Sequence, residues 1–254
     1  MGDRLKGRVA IVTGAAGYLG KSHSLHLAKE GAKVVVTDIA DGAATVEAIR
    51  DTGGEAVFME LDVANWQQAQ DVAKATAERF GRIDILVNNA ALTGGIIKPW
   101  TAFTPEEWDK NLTVDLKGMF LCARAVFPYM QEQGQGKIIN ISSGTMLSGR
   151  PDMLPYVTSK AGVIGFTRSL ASELGEHNIN VNAILVGFFP HVFAGIPNDT
   201  IDQITKQVIP TQAFKRIGQP EDLSPVVVFL ASDEARWITG QAIAVDGGSS
   251  RTGG

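Results

Sequence analysis

The sequence predicts a doubly wound α/β fold, one parallel sheet with helices on both faces, and three observations predict it. Short apolar runs alternate along the chain with helical stretches of ten or more residues, as strand, crossover helix and parallel strand do. The first run, Val9-Ala-Ile-Val12, is continuously apolar, which suits a strand buried on both faces. It breaks into Thr13-Gly-Ala-Ala-Gly-Tyr-Leu-Gly20 and resumes as a helical pattern, the reading of a strand, a tight turn and a helix N-terminus.

The remaining elements follow in order. Leu19 to Glu30 reads as a helix stopped by Gly31, and Lys33-Val-Val-Val-Thr37 as a second strand ending in Asp38. A helix over 41–52 closes at Gly53-Gly54, and Glu55 to Glu60 is a third strand. Asn65 stands three residues before Gln68, a capping-box pattern for a helix running to Phe80, with Gly81 as its stop. Ile83 to Val87 forms the fourth strand, running into Asn88-Asn89-Ala90-Ala91. Thr104-Pro-Glu-Glu107 sets a cap, a first-turn proline and a glutamate three after the cap, so a long helix is expected from there to about Met130, with Pro128 as its kink. Lys137 to Ile141 is the fifth strand, leading to Ser142-Ser143-Gly144, and a helix covers Tyr156 to Leu174 before Gly175. Ile179 to Leu185 is the sixth strand. An irregular, aromatic-rich stretch from Gly187 to Asp199, a helix over 200–208, a helix from Pro220 to Ala231 and a last strand from Ala242 to Val245 complete the chain. No linker or repeat divides it, so residues 1–254 are expected to form one domain, with 187–208 as a substrate-covering segment within it.

Composition narrows the class of function. The net charge of −4 and the lack of a basic run argue against nucleic acid or an anionic membrane as partner. One cysteine, Cys122, precludes an internal disulfide, and its apolar helical setting makes it a core residue. No apolar stretch approaches the roughly 18 residues of a membrane span and the first residues hold no apolar signal core, so a cytoplasmic protein is expected.

Chemistry is carried by two groups of residues. Glycines at 14, 17 and 20 let the backbone pass something bulky at a helix N-terminus, whose amides and dipole favour an anion such as a pyrophosphate; they also suit a plain tight connection. Asp38, about 20 residues further on, is placed to accept hydrogen bonds from an adenosine ribose and to repel a 2′-phosphate, which favours NAD over NADP; it also suits a turn or cap. The second group is Tyr156 and Lys160, one helical turn apart, with Ser143 thirteen residues before the tyrosine. An ammonium near a phenol lowers its pKa from about 10 toward neutrality and makes it a general acid or base, while a serine hydroxyl holds a carbonyl or alcohol oxygen. Tyr-x-x-x-Lys also occurs as an ordinary solvated helix face. His23 and His26 share a face without an acid or thiol grouped with them, and no metal site is expected.

Together these residues resemble the short-chain dehydrogenase/reductase family over essentially the whole chain: Thr13-Gly14 with later glycines, Asp38, Asp62, Asn88-Asn89-Ala90, Ser143, Tyr156-x-x-x-Lys160, Gly187, Gly240-Gln241 and Asp246-Gly247-Gly248. The resemblance implies a Rossmann fold with a seven-stranded sheet, a homotetramer, Tyr156 as acid/base, Lys160 lowering its pKa and binding the nicotinamide ribose, and Ser143 orienting substrate. It further implies a cofactor cleft lined by Gly14, Gly17, Tyr18, Leu19, Gly20, Asp38, Asp62, Val63, Asn88, Asn89, Ala90, Gly187 and Phe189.

Five positions depart from the family pattern. Tyr18 replaces a glycine of the turn, Ala91 replaces a glycine after Asn-Asn-Ala, and Asp115 stands for the proton-relay asparagine and joins the candidate catalytic group. Val186 replaces a proline, and Phe189-Pro-His191 replaces a threonine that holds the carboxamide. Phe188, Phe189, Phe193, Trp100, Met146 and Met153 are expected around an apolar pocket for an aromatic, alicyclic or otherwise bulky substrate. The leading expectation is an NAD-dependent oxidoreductase that interconverts a secondary alcohol and a ketone. Its rivals are an NADP-linked 3-oxoacyl reductase, against which Asp38 argues, and a dehydrogenase-like binding protein with impaired cofactor use.

Overall fold

A computed structural model describes residues 2–190 and 197–250. Its seven parallel strands are β1 (Val9–Thr13), β2 (Lys33–Asp38), β3 (Ala56–Glu60), β4 (Ile85–Asn88), β5 (Gly136–Ser143), β6 (Ile179–Val186) and β7 (Ala242–Val245). They lie in the order β3-β2-β1-β4-β5-β6-β7. Strand order reverses between β1 and β4, and in open α/β sheets ligands bind outside the carboxyl ends of the strands at such a switch point.

Period-two alternation builds the core on both faces. Ala10 and Val12, Val34 and Val36, Ile85 and Val87, and Ile139 and Ile141 join one apolar cluster. Ile11, Val35, Leu86 and Ile138 face the other. The first cluster lies under α1 (Tyr18–Lys29), α2 (Ala43–Asp51) and α9 (Pro220–Ala231). The second lies under α3 (Trp66–Phe80), α5 (Gly118–Gln133) and α7 (Leu154–Leu174). Cys122 is buried there, and burial pushes its thiol up to about 12. His23, fully buried between α1 and α9, meets Ser224 Oγ through Nδ1 at 2.9 Å, and burial takes its pKa down to about 3, so it packs as a neutral ring. No helix among the described residues is long and apolar enough to cross a membrane.

Most expected elements form within two residues of their expected ends, and three differences bear on the site. The helix expected from 104 to 130 is broken in its middle: α4 (Pro105–Leu112) passes into a π-helical turn, Thr113–Lys117, before α5 resumes, while Pro128 sits inside α5. Thr104 and Glu107 do form the capping box. At α3 only half of the box forms: Asn65 accepts from the Gln68 amide, but the Gln68 side chain accepts from the Asp62 amide at 2.7 Å. A short helix, α6 (Thr145–Ser148), stands between Ser143 and α7, where the sequence reading placed no element. Of the irregular stretch after β6, His191 and Phe193 lie outside the described residues, and α8 (Asn198–Val208) closes it.

The turn from β1 into α1 is stitched to the end of β4. Thr13 Oγ1 accepts the amides of Asn89 and Ala90 at 3.0 Å, and Asn89 Nδ2 donates to the carbonyls of Thr13 and Gly14. Its glycines have different reasons to be glycine. Gly14 has φ +64°, and a Cβ there would stand 2.8 Å from the Ala90 Cα. A Cβ on Gly20 would stand 2.2 Å from the Gly14 oxygen, whereas one on Gly17 would meet only that oxygen at 3.4 Å. Gly20→Ala should therefore destabilise the fold by about 1–3 kcal/mol, as overpacking does. Gly17→Ala should cost less than about 1 kcal/mol as a change of N-cap residue. Equal midpoint shifts for the two variants in urea unfolding would contradict this account of the turn.

Candidate active site

A single cleft of about 1210 Å³ runs along the carboxyl ends of the strands, lined from Gly14 and Asp38 at one end to Ile204 and Val208 at the other. Its volume exceeds the few hundred to about 1,000 Å³ typical of a site for one drug-sized ligand. The first end has the character of a dinucleotide cradle. Gly14, Gly17, Tyr18, Leu19 and Gly20 line it, no side chain caps the N-terminus of α1, and the first turn of α1 holds no acid. A helix end of that kind accepts an anion through backbone amides. Tyr18, which stands where a glycine was expected, lies at the rim with 38% of its surface exposed; burial and the Glu221 carboxylate raise its phenol pKa.

Asp38 closes this end from β2. Its Oδ2 accepts the Ala16 amide and its Oδ1 the Ala40 amide, both at 3.0 Å, so the loop itself aims the carboxylate. Ile39 beside it is exposed and Asp41 follows. Asp62, Val63, Asn89, Ala90 and Gly187 also line the cleft, as expected. Gly187 has to be small because a Cβ there would stand 2.5 Å from the Asp246 Cα. Asn88 does not line it. Its side chain is buried and donates to Asn140 Oδ1 at 2.9 Å, tying β4 to β5. Phe189 reaches the cleft wall but is 3% exposed and packs into the main core against Gly218.

The four candidate catalytic residues converge from three elements. Ser143 ends β5, Tyr156 and Lys160 lie one turn apart on α7, and Asp115 sits in the π-helical turn. Lys160 Nζ donates to the Ile141 carbonyl at 3.1 Å, stands 3.7 Å from Asp115 Oδ2 and lies 5.5 Å from the centre of the Tyr156 ring. Asp115 is fully buried; its Oδ1 accepts the Leu92 amide at 2.8 Å and its Oδ2 the Ser159 hydroxyl at 3.4 Å. Ser143 Oγ accepts the Thr145 hydroxyl at 2.9 Å, which leaves its own proton for the Tyr156 oxygen or for a ligand.

Electrostatics correct one expectation. Lys160 was expected to lower the Tyr156 pKa, yet burial first and the Asp115 charge second push it well above 10, with the Ser143 hydrogen bond opposing them. Burial also lowers the Lys160 pKa, against the pull of Asp115, and raises that of Asp115, against Lys160 and its hydrogen bonds. Tyr156 is therefore a neutral phenol at pH 7, a proton donor held between a serine and an ion pair.

The far end of the cleft is largely apolar, with Leu92, Ile97, Val114, Met153, Ile204 and Val208 in its wall. Phe188 joins them, but Trp100 and Met146, expected at this mouth, do not: Trp100 is 69% exposed and Met146 packs against the cluster of Met119 and Val163. Sequence reasoning passed over Thr145, Lys110 and Arg150, all of which line the cleft. The positions of Thr145 and Arg150 between Ser143 and Tyr156 were the available signal. Lys110 had none beyond its helix.

Comparison with known proteins agrees with this geometry. A family model described as enoyl-(acyl carrier protein) reductase matches residues 14–250. The chain is 38% identical over 247 residues to the 3-oxoacyl-[acyl-carrier-protein] reductase FabG of Thermotoga maritima, covering 96% of this chain and 98% of that one. It is 36% identical over 250 residues to the (2S)-[(R)-hydroxy(phenyl)methyl]succinyl-CoA dehydrogenase subunit BbsD of Thauera aromatica, covering 97% and 98%. The crystal structure of a provisionally named short-chain alcohol dehydrogenase from Sinorhizobium meliloti 1021 superposes with a TM-score of 0.91 at 38% identity, covering 96% of this chain and 97% of that one.

The charge of Asp115 is testable by titration, because the chain has only three tyrosines, at 18, 129 and 156. Asp115→Asn removes the negative charge that disfavours the phenolate, so the Tyr156 pKa should fall, by about one unit for a close charge. Phenolate absorbance followed against pH, with Tyr156→Phe to identify the transition, reads this directly. An unmoved transition would show that Asp115 does not act on the phenol.

Proposed function

Because the chain belongs to the short-chain dehydrogenase/reductase family, we propose that this oxidoreductase interconverts a secondary alcohol and a ketone with NAD(H), on an apolar, aromatic or alicyclic substrate. The observation that carries the proposal is the convergence of Ser143, Tyr156 and Lys160 on one cleft whose other end is the glycine turn with Asp38. The turn suits a dinucleotide, since Gly14, Gly17 and Gly20 line the cleft without side chains and no side chain caps the N-terminus of α1. Gly17, Leu19 and Gly20 would hold the pyrophosphate, Asp38 the adenosine ribose, Asp62 and Val63 the adenine, Asn89 and Ala90 the cleft floor, and Lys160 and Gly187 the nicotinamide end. When bound there, the nicotinamide supplies C4 as the site that gives or takes the hydride.

The chain's own residues handle the proton. Ser143 hydrogen-bonds the substrate oxygen. In the reductive direction the neutral Tyr156 hydroxyl gives its proton to that oxygen as the carbonyl carbon receives the hydride, and in oxidation the same proton returns to the phenolate. The ammonium of Lys160 balances the phenolate that the reductive step leaves. Burial and, after it, the Asp115 charge act against that effect, keeping the resting phenol neutral. Phe188, Met153 and α8 border the position of the substrate carbon skeleton.

Asp38, Ile39 and Asp41 offer a 2′-phosphate no cation, which supports NAD(H). A second reading, an NADP-linked 3-oxoacyl reductase, is favoured by the similarity to the 3-oxoacyl-[acyl-carrier-protein] reductase FabG and uses the same proton chemistry. A homotetramer is the proposed assembly, supported by the exposed apolar surface of Phe120 on α5 and Leu154 on α7, and sedimentation velocity tests it.

Two measurements test the function. Tyr156→Phe should lower kcat by about 10²- to 10⁴-fold, the usual worth of a positioned acid, while NADH affinity changes little; full turnover in that variant would sink the assignment. The wild-type protein should bind NADH at least tenfold more tightly than NADPH by calorimetry. The reverse order, with efficient turnover of a 3-oxoacyl thioester, would establish the second reading, and no binding of either at millimolar cofactor would point to a binding protein.

A further inference from the structure

One side chain in the cleft has no use in the chemistry above. Arg150 lies between the end of β5 and the start of α7, in the stretch that joins Ser143 to Tyr156. Gly149, at φ +59°, ends α6, and the Arg150 amide is fastened to the Thr145 carbonyl at 3.3 Å, so the backbone is anchored where the side chain enters the cleft wall. The residue is half-buried, and its guanidinium makes no hydrogen bond, ion pair or ring contact with any described residue. Arg8 and Arg82, also half-buried, are both held by Asp84. Lys110, exposed on α4, lines the same cleft and likewise has no side-chain partner among the described residues.

The charged groups that line the cleft are few. Its acids are Asp38 and Asp62 at the adenosine end, and Asp246, whose carboxylate is already taken by the Gly248 and Ser250 amides and the Ser250 hydroxyl. Of the cations that line the cleft, Lys160 is met by Asp115, whereas Lys110 and Arg150 have no acid beside them among the described residues. A guanidinium that has lost part of its hydration to an apolar wall and found no protein acceptor gains most from a carboxylate or phosphate, which it binds through two parallel N–H groups. An unpaired cation in a low-dielectric cleft also draws anionic ligands toward it.

We propose that the substrate carries an anionic group, a carboxylate or a phosphate, that Arg150 binds while the apolar wall takes the carbon skeleton, with Lys110 adding attraction at the mouth. The proposal rests on reading this cleft as the hydride-transfer site and sharpens the substrate from a bulky apolar alcohol or ketone to an amphipathic one. Arg150 is here a specificity-determining residue, and the proton chemistry at Tyr156 does not pass through it.

The test measures binding, so that it stands apart from turnover. Calorimetry on the full chain compares 3-phenylpropanoate with 3-phenylpropanamide, and 4′-phosphopantetheine with pantetheine, for wild type, Arg150→Gln and Arg150→Lys. An acid at least tenfold tighter than its amide, with the difference lost in Arg150→Gln and partly kept in Arg150→Lys, supports an anion on the substrate itself. The same pattern confined to the phosphopantetheine pair supports an anion on a thioester carrier. Equal affinities within both pairs, or a preference that Arg150→Gln retains, overturn the proposal. Failure of the oxidoreductase reading shows separately, as no NADH consumed with any carbonyl compound whatever the anion preference. Thermal unfolding of the variants confirms that the fold is intact, as expected for a half-buried side chain without partners.

Discussion

A lysine whose side chain is almost wholly withdrawn from water sets the terms for the rest of the site. The Lys160 ammonium cannot be left uncompensated inside the protein, and it is met by the Ile141 carbonyl and the Asp115 carboxylate. Those acceptors belong to β5 and to the turn between α4 and α5, while the lysine belongs to α7, so one charge holds three elements in register. Ser142 adds to the bond by donating to the Lys160 carbonyl at 2.7 Å. The Tyr156 phenol and the Ser143 hydroxyl are carried on two of these elements and inherit their positions from this arrangement.

Much of the frame was legible because its physics is local or periodic. Continuous apolar runs such as Val9 to Val12 mark strands buried on both sides, and Thr104 and Glu107 cap a helix with their own side chains, whatever surrounds them. The glycine turn was legible as a turn, though the reasons for its glycines differ. Gly14 and Gly20 answer to atoms of Ala90, Ala15 and Asn89, of which Asn89 and Ala90 come from the end of β4, about seventy residues away.

What sequence did not reveal depends on distant partners or lacks a period. Asn88 looks like a cleft residue by position, yet its amide serves Asn140 across the sheet, and no spacing distinguishes it from Asn89, which does reach the cleft. Arg150 sits in a stretch too short and irregular to carry a period, and its position between Ser143 and Tyr156 was the one sign of its place in the cleft wall. The direction of the Tyr156 pKa was missed for a related reason. The rule linking a lysine to a tyrosine one turn away is local, whereas the burial that raises the phenol pKa, and the Asp115 charge that adds to it, come from the assembled fold.

The π-helical turn at Thr113–Lys117 has a consequence for how this protein can change over time. One extra residue in the turn rotates the downstream helix by roughly 100° relative to an unbroken one, so α4 can rest on α7 while α5 rests on α3. Each flanking segment packs through its own apolar stripe, while the turn sends Val114 into the cluster under α3 and α5 and Leu116 against that of Val163 on α7. Asp115 stands between those two side chains, buried and turned toward the Leu92 amide, Ser159 and Lys160. A change there from acid to amide would alter what faces Lys160 while leaving the side chains that pack the turn in place.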